Sequence, residues 1–264
     1  MKAIRTPDTS FENLSGYDFE PHYIDLDGET AGLRMHHVDE GSGDPILLLH
    51  GEPTWAFLYR KMIPRLTDAG RVVAPDFIGF GRSDKVTDRD WYSYDGHCDS
   101  LVQLIEALDL NDVTMVVQDW GGPIGLRVAT TYPERIARLV ILNTGVFRPG
   151  PNWPTPGFSA WRDFAERNPD LPVGFVIQGA TATDVPEDVI AGYEAPFPNV
   201  ESKAGAAAFP LLVPLTVDDQ GAAEMAEVAD ELTRWVKPTL VAFSDSDPVF
   251  PQQAGERLAE RIPG

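Results

Sequence analysis

The residue that could do the most distinctive chemistry is Asp119, which lies in the segment Gln118–Gly122. This segment follows the apolar run Val113–Val117 and precedes a helical pattern. A strand, a sharp turn and a helix form the setting of a nucleophile elbow, in which little bulk is tolerated around the central residue. Gly121 meets that demand, whereas the position two before Asp119 is Val117 instead of glycine. No Gly-x-Ser-x-Gly pattern occurs in the chain, so an esterase serine is disfavoured.

A carboxylate at this turn is ionised at neutral pH and needs no base to act as a nucleophile. It suits SN2 attack on a carbon that carries a leaving group, which yields an ester intermediate. The alternative is that Asp119 only caps the helix after it, because Asp is common at helix starts.

Two further turns could complete such a site. His50–Trp55 follows an apolar run and could aim a backbone N–H into the same crevice, where it would help form an oxyanion hole. Asp76–Asp84 is rich in glycine, which we attribute to turn geometry because no phosphate-binding motif accompanies it.

The elements that must position these turns follow an alternating pattern. Ser93 to Leu110 carries an apolar stripe at helical spacing, with Ser93 as its N-cap, and a second helix is predicted from Gly221 to Val236. Strands buried on both faces read as continuous apolar runs, which predicts a mostly parallel, doubly wound α/β sheet. The predicted strands are the roughly alternating outer strand 33–39 and the apolar runs 46–49, 72–74, 113–117, 139–142 and 239–243.

The alternation stops after Thr144 and returns near Gly221. Between them the chain is rich in proline, glycine and aromatic residues. We predict a core in residues 1–147, a helical cap in residues 148–215, and the second part of the core in residues 216–264.

Composition narrows the function classes. Lys plus Arg is 21 and Asp plus Glu is 41, so the formal charge is 21 − 41 = −20, which argues against a nucleic-acid partner. The single cysteine, Cys98, is expected to be buried and excludes a disulfide framework. No signal peptide or membrane-spanning run is visible, so we expect a cytoplasmic protein, and no metal or organic cofactor is indicated.

Three motifs in this order and spacing, HGEPTW, PDFIGFGRSDK and VVQDWGGPIGLRVA, resemble the haloalkane dehalogenase family. The chain is most similar to the branch with Glu after His-Gly, from about Phe19 to the last residue. The resemblance implies an α/β-hydrolase fold with a helical cap inserted after its sixth strand. It also implies hydrolysis of a small apolar haloalkane by water to an alcohol and a halide ion, through a covalent alkyl ester on Asp119.

The resemblance also implies the roles of the other site residues. The backbone N–H groups of Glu52 and Trp120 would form the oxyanion hole, and the indole N–H groups of Trp120 and Trp161 would bind the halide. Asp247 would be the acid that orients a histidine base. Trp153 is the alternative to Trp161 and Asp245 the alternative to Asp247; Asn143, where another branch of the family carries its acid, is not ionisable.

The chain departs from the family pattern at the histidine base. That residue is expected beyond Asp247, after one more strand, yet no histidine follows His97. We therefore expect a chain cut short by roughly 25–40 residues, a last strand and helix with their loops. Such a chain would alkylate Asp119 once and stop, and it would expose a sheet edge and apolar helix faces.

Three other functions remain to be weighed. An epoxide hydrolase shares the fold and the Asp nucleophile but needs cap tyrosines as acids, and the predicted cap holds one, Tyr193. A fluoroacetate-type dehalogenase is expected to carry Arg where Trp120 stands. A non-catalytic binding protein on the same scaffold would explain the missing histidine. The preferred haloalkane and the oligomeric state do not follow from the sequence.

Overall fold

The computed structural model describes residues 1–151 and 153–264, in which nine strands form two sheets. Two short strands, β1 and β6, pair with each other, and the other seven form the central sheet in the order β2-β3-β5-β4-β7-β8-β9. The strands are β1 (Ala3–Ile4), β2 (His22–Asp25), β3 (Arg34–Glu40), β4 (Pro45–Leu49), β5 (Arg71–Pro75), β6 (Lys85–Val86), β7 (Val113–Gln118), β8 (Ile136–Leu142) and β9 (Thr239–Ala242).

In the central sheet the neighbouring strands β5, β4, β7, β8 and β9 are parallel to one another. The strand β3 pairs antiparallel with both β2 and β5. Every residue of β4 is buried, as its unbroken apolar run predicts for a strand covered on both faces. The predicted mostly parallel sheet is confirmed, and the strand predicted at 33–39 is the antiparallel β3, although it lies inside the edge strand β2 and not at the edge itself. Within the central sheet the strand that the sequence did not predict is β2, an edge strand with no apolar run, and the two-residue strands β1 and β6 of the small sheet were not predicted either.

The described residues form nine α-helices. They are α1 (Ile63–Leu66), α2 (Tyr94–Ala107), α3 (Gly121–Thr131), α4 (Pro156–Arg167), α5 (Val173–Gly179), α6 (Glu187–Glu194), α7 (Ala204–Leu212), α8 (Ala222–Glu231) and α9 (Gln252–Arg261).

Two predicted helix ends were wrong, although both helices exist. The hydroxyl of Ser93 accepts a bond from the Gly96 N–H, so the predicted N-cap of α2 is confirmed. The helix ends before Leu110, because the backbone turns at Asp109, whose φ is 46°. Likewise, α8 ends at Glu231 and gives way to a short 3₁₀ turn instead of continuing to Val236.

The segment between β8 and α8 contains the four helices α4 to α7 and, among its described residues, no strand. It is inserted after β8, the sixth strand of the central sheet in chain order. Its deepest part is α7, whose residues Ala204–Pro210 are buried and whose Phe209 ring packs on Phe80 and Trp120 of the core. The insertion therefore covers the edge of the sheet at which the chemistry is expected; its exact bounds stay a prediction.

At the other end of the sheet, β8 is the one partner of β9 among the described strands, and Leu240 of β9 is 58% exposed. None of the helices that the structure describes combines the length and apolar character needed to cross a membrane. Cys98 is buried, as predicted.

Candidate active site

Asp119 lies at the turn between β7 and α3 with a φ of 48°, in the left-handed region that few non-glycine residues adopt. Three bonds hold this conformation. The Asp119 N–H donates to the Asn143 carbonyl over 3.1 Å, and the Asp119 carbonyl accepts from the Gly122 N–H (2.8 Å) and the Thr144 hydroxyl (2.5 Å). Such a strained residue persists only where its surroundings over-determine it, which is typical of a functional position.

The packing around this turn makes room for Val117 at the position where the nucleophile-elbow pattern has glycine. A Cβ on Gly121 would collide with the Leu49 carbonyl and a Cβ on Gly122 with the Thr144 hydroxyl, so α3 approaches β4 and the loop after β8 too closely for side chains. A Cβ on Gly125 would lie 2.8 Å from a methyl group of Val117. The volume that Val117 adds before the nucleophile is thus accommodated by a glycine one helical turn into α3.

Two backbone N–H groups act on the carboxylate of Asp119. The N–H of Glu52 donates to Asp119 Oδ1 over 2.7 Å, and the neighbouring N–H of Trp120 is close enough to lower the pKa of the same carboxyl group. The approach of the two turns requires Gly51, because a Cβ there would collide with the Asp119 side chain. The structure thus brings together the N–H groups that the sequence analysis assigned to an oxyanion hole.

The pKa values of the neighbouring Asp119 and Glu52 carboxyl groups are raised to different extents. Burial raises the pKa of Asp119 to about 6, against the two backbone N–H groups that lower it, while the Asp247 charge raises it further. Burial, and next the charge of Asp119, raise the pKa of Glu52 well above its usual range. The Glu52 Oε1 atom is buried and has no partner among the described residues. Asp119 is therefore the carboxylate and Glu52 the neutral acid near pH 7.

Asp247 follows β9 and is anchored on both oxygens. Its Oδ1 accepts from the N–H groups of Val249 (2.7 Å) and Phe250 (2.9 Å), and its Oδ2 accepts from the side-chain amide of Asn143 (2.8 Å). The alternative, Asp245, is exposed and accepts a bond from the hydroxyl of its neighbour Ser246. The geometry favours Asp247 as the residue held in a defined orientation.

Asn143 makes three hydrogen bonds at the site that the sequence did not predict. Its carbonyl binds the Asp119 N–H, its amide N–H₂ binds Asp247, and its amide oxygen accepts from the Ser244 N–H (2.8 Å). It therefore ties the turn after β7 to the loop after β9. Its position directly after β8, at the carboxyl edge of the sheet, is the signal that could have identified it.

The tryptophans differ in whether their indole N–H groups are free. Trp120 is buried against Phe209, with the ring centroids 5.0 Å apart. The N–H of Trp153 donates to the Pro214 carbonyl over 2.8 Å, so this residue is already used in the structure. Among the described residues, neither Trp120 nor Trp161 donates its indole N–H to a protein acceptor.

Trp161 lies on α4, half-buried, with its ring stacked on Phe164 at 6.0 Å. The rings packed against Trp120 are those of Tyr94, Phe147 and Phe209, so Trp161 makes no ring contact with Trp120 in the described part of the chain. The structure thus favours Trp161 over Trp153 by its free N–H alone.

None of the five histidines of the chain hydrogen-bonds the Asp119 carboxylate in the described structure. His50 is the nearest in sequence to the site, but its Nε2 accepts from the Phe77 N–H (3.0 Å) and its Nδ1 bonds the Gly51 carbonyl (2.8 Å). Burial also lowers the pKa of His50. The others bind Asp76 (His36), face each other across β2 and β3 (His22 and His37) or lie on α2 (His97). In the described residues, no histidine hydrogen-bonds Asp119 or Asp247.

No group of three or more His, Cys, Asp or Glu side chains within the described ranges is arranged to hold a metal ion.

Comparison with known proteins places this site in a family. A family model described as the alpha/beta hydrolase fold matches residues 44–187. Haloalkane dehalogenase 1 of Mycobacterium tuberculosis (strain H37Rv) is 51% identical, covering 100% of this chain and 89% of that protein. A haloalkane dehalogenase of Psychrobacter cryohalolentis is 47% identical, covering 99% of this chain and 87% of that protein.

A solved structure gives the same result. The tetrameric structure of haloalkane dehalogenase DpaA from Paraglaciecola agarilytica NO2 superposes with a TM-score of 0.95 at 38% identity, covering 100% of this chain and 89% of that one. The fold, the motifs and the relatives agree, and the chain belongs to the haloalkane dehalogenase family of the α/β-hydrolase fold.

Proposed function

We propose that this protein cleaves the carbon–halogen bond of small haloalkanes with Asp119 as the nucleophile. The observation that carries the proposal is the Asp119 carboxylate on its strained turn, with the Glu52 N–H bound to it and the Trp120 N–H beside it. The names of the relatives support the reaction class.

In the first step an Asp119 carboxylate oxygen attacks the carbon that bears the halogen. The carbon–oxygen bond forms as the carbon–halogen bond breaks, and the halide leaves with the bonding pair. The indole N–H of Trp120 donates to the departing halide, and that of Trp161 is the second donor we assign. A halide requires only donors, whereas a leaving alkoxide requires an acid.

In the second step water attacks the ester carbonyl, and the N–H groups of Glu52 and Trp120 stabilise the oxyanion that develops. This step requires a base for the water proton, and Asp247 is held in place to orient a histidine. None of the five histidines in these 264 residues is available for that role in the described structure. We therefore propose that the 264-residue chain accumulates the alkyl ester and releases one halide per molecule.

The epoxide alternative loses support from the surroundings of Tyr193. This tyrosine is buried, its ring packs edge-on against Phe57 at 5.1 Å, and the Arg60 guanidinium lies 5.8 Å from its ring centroid. Burial raises the pKa of its hydroxyl, against the smaller opposing effect of Arg60. It is thus poorly suited to protonate a leaving alkoxide.

The test is the stoichiometry of bromide released from 1,2-dibromoethane, with Asp119→Asn as the matched control. We expect one bromide per wild-type chain followed by a plateau, and none from Asp119→Asn. Bromide release from Asp119→Asn equal to that of the wild type would refute the assignment of Asp119 as the nucleophile. Continued bromide release by the wild type would refute the proposed accumulation of the alkyl ester, because another group would then have to act as the base in its hydrolysis.

A further inference from the structure

The first residues of the chain run between the core and the cap helices α4 to α7. We call residues 2–8 the N-terminal arm. Its strand β1 pairs antiparallel with β6 of the core. The Arg5 guanidinium, next along the arm, donates to both carboxylate oxygens of Asp84, over 2.7 and 3.1 Å, and the Asp84 side chain is buried. The arm is therefore fixed to the core by a pair of strands and a two-bond ion pair.

Two side chains of the arm bond the cap at the corner between α6 and α7. The Thr6 hydroxyl donates to the Pro196 carbonyl over 2.7 Å, and both residues are buried. The Lys2 ammonium donates to both carboxylate oxygens of Glu201, over 3.0 and 3.1 Å, at an exposed position. An exposed ion pair contributes little to stability, so the buried bond of Thr6 is the main link between the arm and the cap.

The corner leads into α7, a helix that depends on its packing. This helix has nine residues, with Gly205 near its start and Pro210 inside it, so it has little stability of its own. Its backbone lies close to the core at Gly205, where a Cβ would be 3.0 Å from the Cα of Gly79. A displacement of the corner would therefore loosen the contact between α7 and the core.

Phe209 of α7 bounds the space beside Trp120. Its ring centroid lies 5.0 Å from that of Trp120, and the rings of Tyr94 and Phe147 flank the same indole at 6.5 and 6.3 Å. Trp120 is 5% exposed. In the proposed reaction the halide departs beside Trp120, so the alkyl chain of the substrate has to fit among these rings.

We propose that the N-terminal arm limits the length of the substrate by fastening the corner between α6 and α7 to the core, with Thr6 as the specificity-determining residue. A long alkyl chain beside Trp120 has to displace the Phe209 ring, and α7 yields more readily once the bond between Thr6 and Pro196 is broken. A two-carbon chain fits without that motion. The inference rests on the proposed function, since it concerns the substrates of the same site.

The first readout is hydrogen exchange of the α7 amides in the full chain. Thr6→Val keeps the shape of the side chain and removes its hydroxyl, whereas Thr6→Ser keeps the hydroxyl. Loss of the bond leaves the buried Pro196 carbonyl unpaired and should accelerate exchange through local opening of the cap by about 5- to 10-fold in Thr6→Val. Exchange in Thr6→Ser should match the wild type.

The matched control is Thr67→Val. The Thr67 hydroxyl donates to the Pro64 carbonyl over 3.1 Å at the end of α1, so this variant also removes a bond from a threonine to a carbonyl, but not one that joins the arm to the cap. It should leave the exchange of the α7 amides unchanged, because their local opening does not break this bond.

The second readout is the rate of Asp119 alkylation by bromoethane and by 1-bromohexane, followed by intact-protein mass spectrometry. In Thr6→Val the rate with 1-bromohexane should rise by about 5- to 10-fold, the same factor as the exchange of α7, while the rate with bromoethane stays unchanged. A residue that only stabilises the fold would leave the ratio of the two rates unaltered.

Two results would overturn the inference: equal acceleration of α7 exchange in Thr6→Val and Thr67→Val, or an unchanged ratio of rates in a folded Thr6→Val chain that is alkylated. If Thr6→Val does not fold, Lys2→Ala decides, since it removes the second link to the same corner. Its ratio of rates should rise by about twofold, and a ratio equal to that of the wild type would overturn the inference. Absence of alkylation by bromoethane in the wild type would instead refute the proposed function, and α7 exchange would still test the link.

Discussion

The rate of the first chemical step should fall as the pH is lowered through the pKa of Asp119. Burial raises that pKa from its ordinary value of 3.8 to about 6, and only the carboxylate form attacks carbon. The substrate 1-bromobutane has no group that titrates, so the pH dependence reports on the protein. Glu52 does not interfere, since burial and the Asp119 charge hold its pKa well above the usual range.

The magnitude follows from the ionised fraction. With a pKa of about 6, about 99% of Asp119 is ionised at about pH 8 and about 9% at about pH 5, so the rate constant should drop about 11-fold. An unshifted Asp119 would be more than 90% ionised over the whole of this range, and the rate would be flat.

The assay is the second-order rate constant of alkylation, followed by intact-protein mass spectrometry at a series of pH values. The matched variant is Asp247→Asn, which removes a negative charge that raises the pKa of Asp119. Its profile should have a midpoint at lower pH than the wild type, and at about pH 5 it should react faster than the wild type.

A flat wild-type profile between about pH 5 and about pH 8 would refute the claim that Asp119 is the buried, destabilised carboxylate of this site. A midpoint that rises in Asp247→Asn would refute the claimed electrostatic contact. Circular dichroism at each pH serves as the control that the fold persists, since the sequence pI is near 4.5.

The remaining predictions concern single substitutions at the same turn. Asp119→Asn should raise the free energy of unfolding by up to about 3 kcal/mol at about pH 8, because the raised pKa makes the carboxylate costly above pH 6; urea denaturation should show the gain fading as the pH falls towards 4. An equal gain at both pH values would contradict this. Trp120→Phe keeps the ring on Phe209 but removes the indole N–H, so alkylation should slow by about 10- to 100-fold in the same mass assay; an unchanged rate would remove Trp120 from halide binding. Gly122→Ala should destabilise the fold by about 1–3 kcal/mol in urea denaturation, since the new methyl group collides with the Thr144 hydroxyl; a neutral effect would contradict the close approach.

The sequence could predict the sheet because buried parallel strands carry their signal in a single run of residues. The strand β4 and the capped start of α2 were both found in this way. The edge strand β2 was missed, because its pairing with β3 and not its own composition makes it a strand. The end of α2 was misplaced because the apolar stripe continues to Leu108 while the backbone turns just after it.

The site also contains both features that the sequence could predict and contacts that depend on long-range packing. Asp119 was predicted from its local turn pattern and the Glu52 N–H from the family resemblance, and the structure brings them within 2.7 Å. The bond between Asn143 and Asp247 joins residues that are 104 positions apart, so it depends on the alignment of β8 with β9. The compensation between Val117 and Gly125 likewise requires the packing of α3 on the sheet. The role of Trp161 stays a prediction.

The most direct test of the account is to find where the alkyl group is after the chain has met 1-bromobutane. We predict a single persistent butyl adduct by intact mass, localised by peptide mapping to Asp119 and absent from Asp119→Asn. An adduct on another residue, or no adduct in a chain shown to be folded, would contradict the claim that Asp119 is the nucleophile.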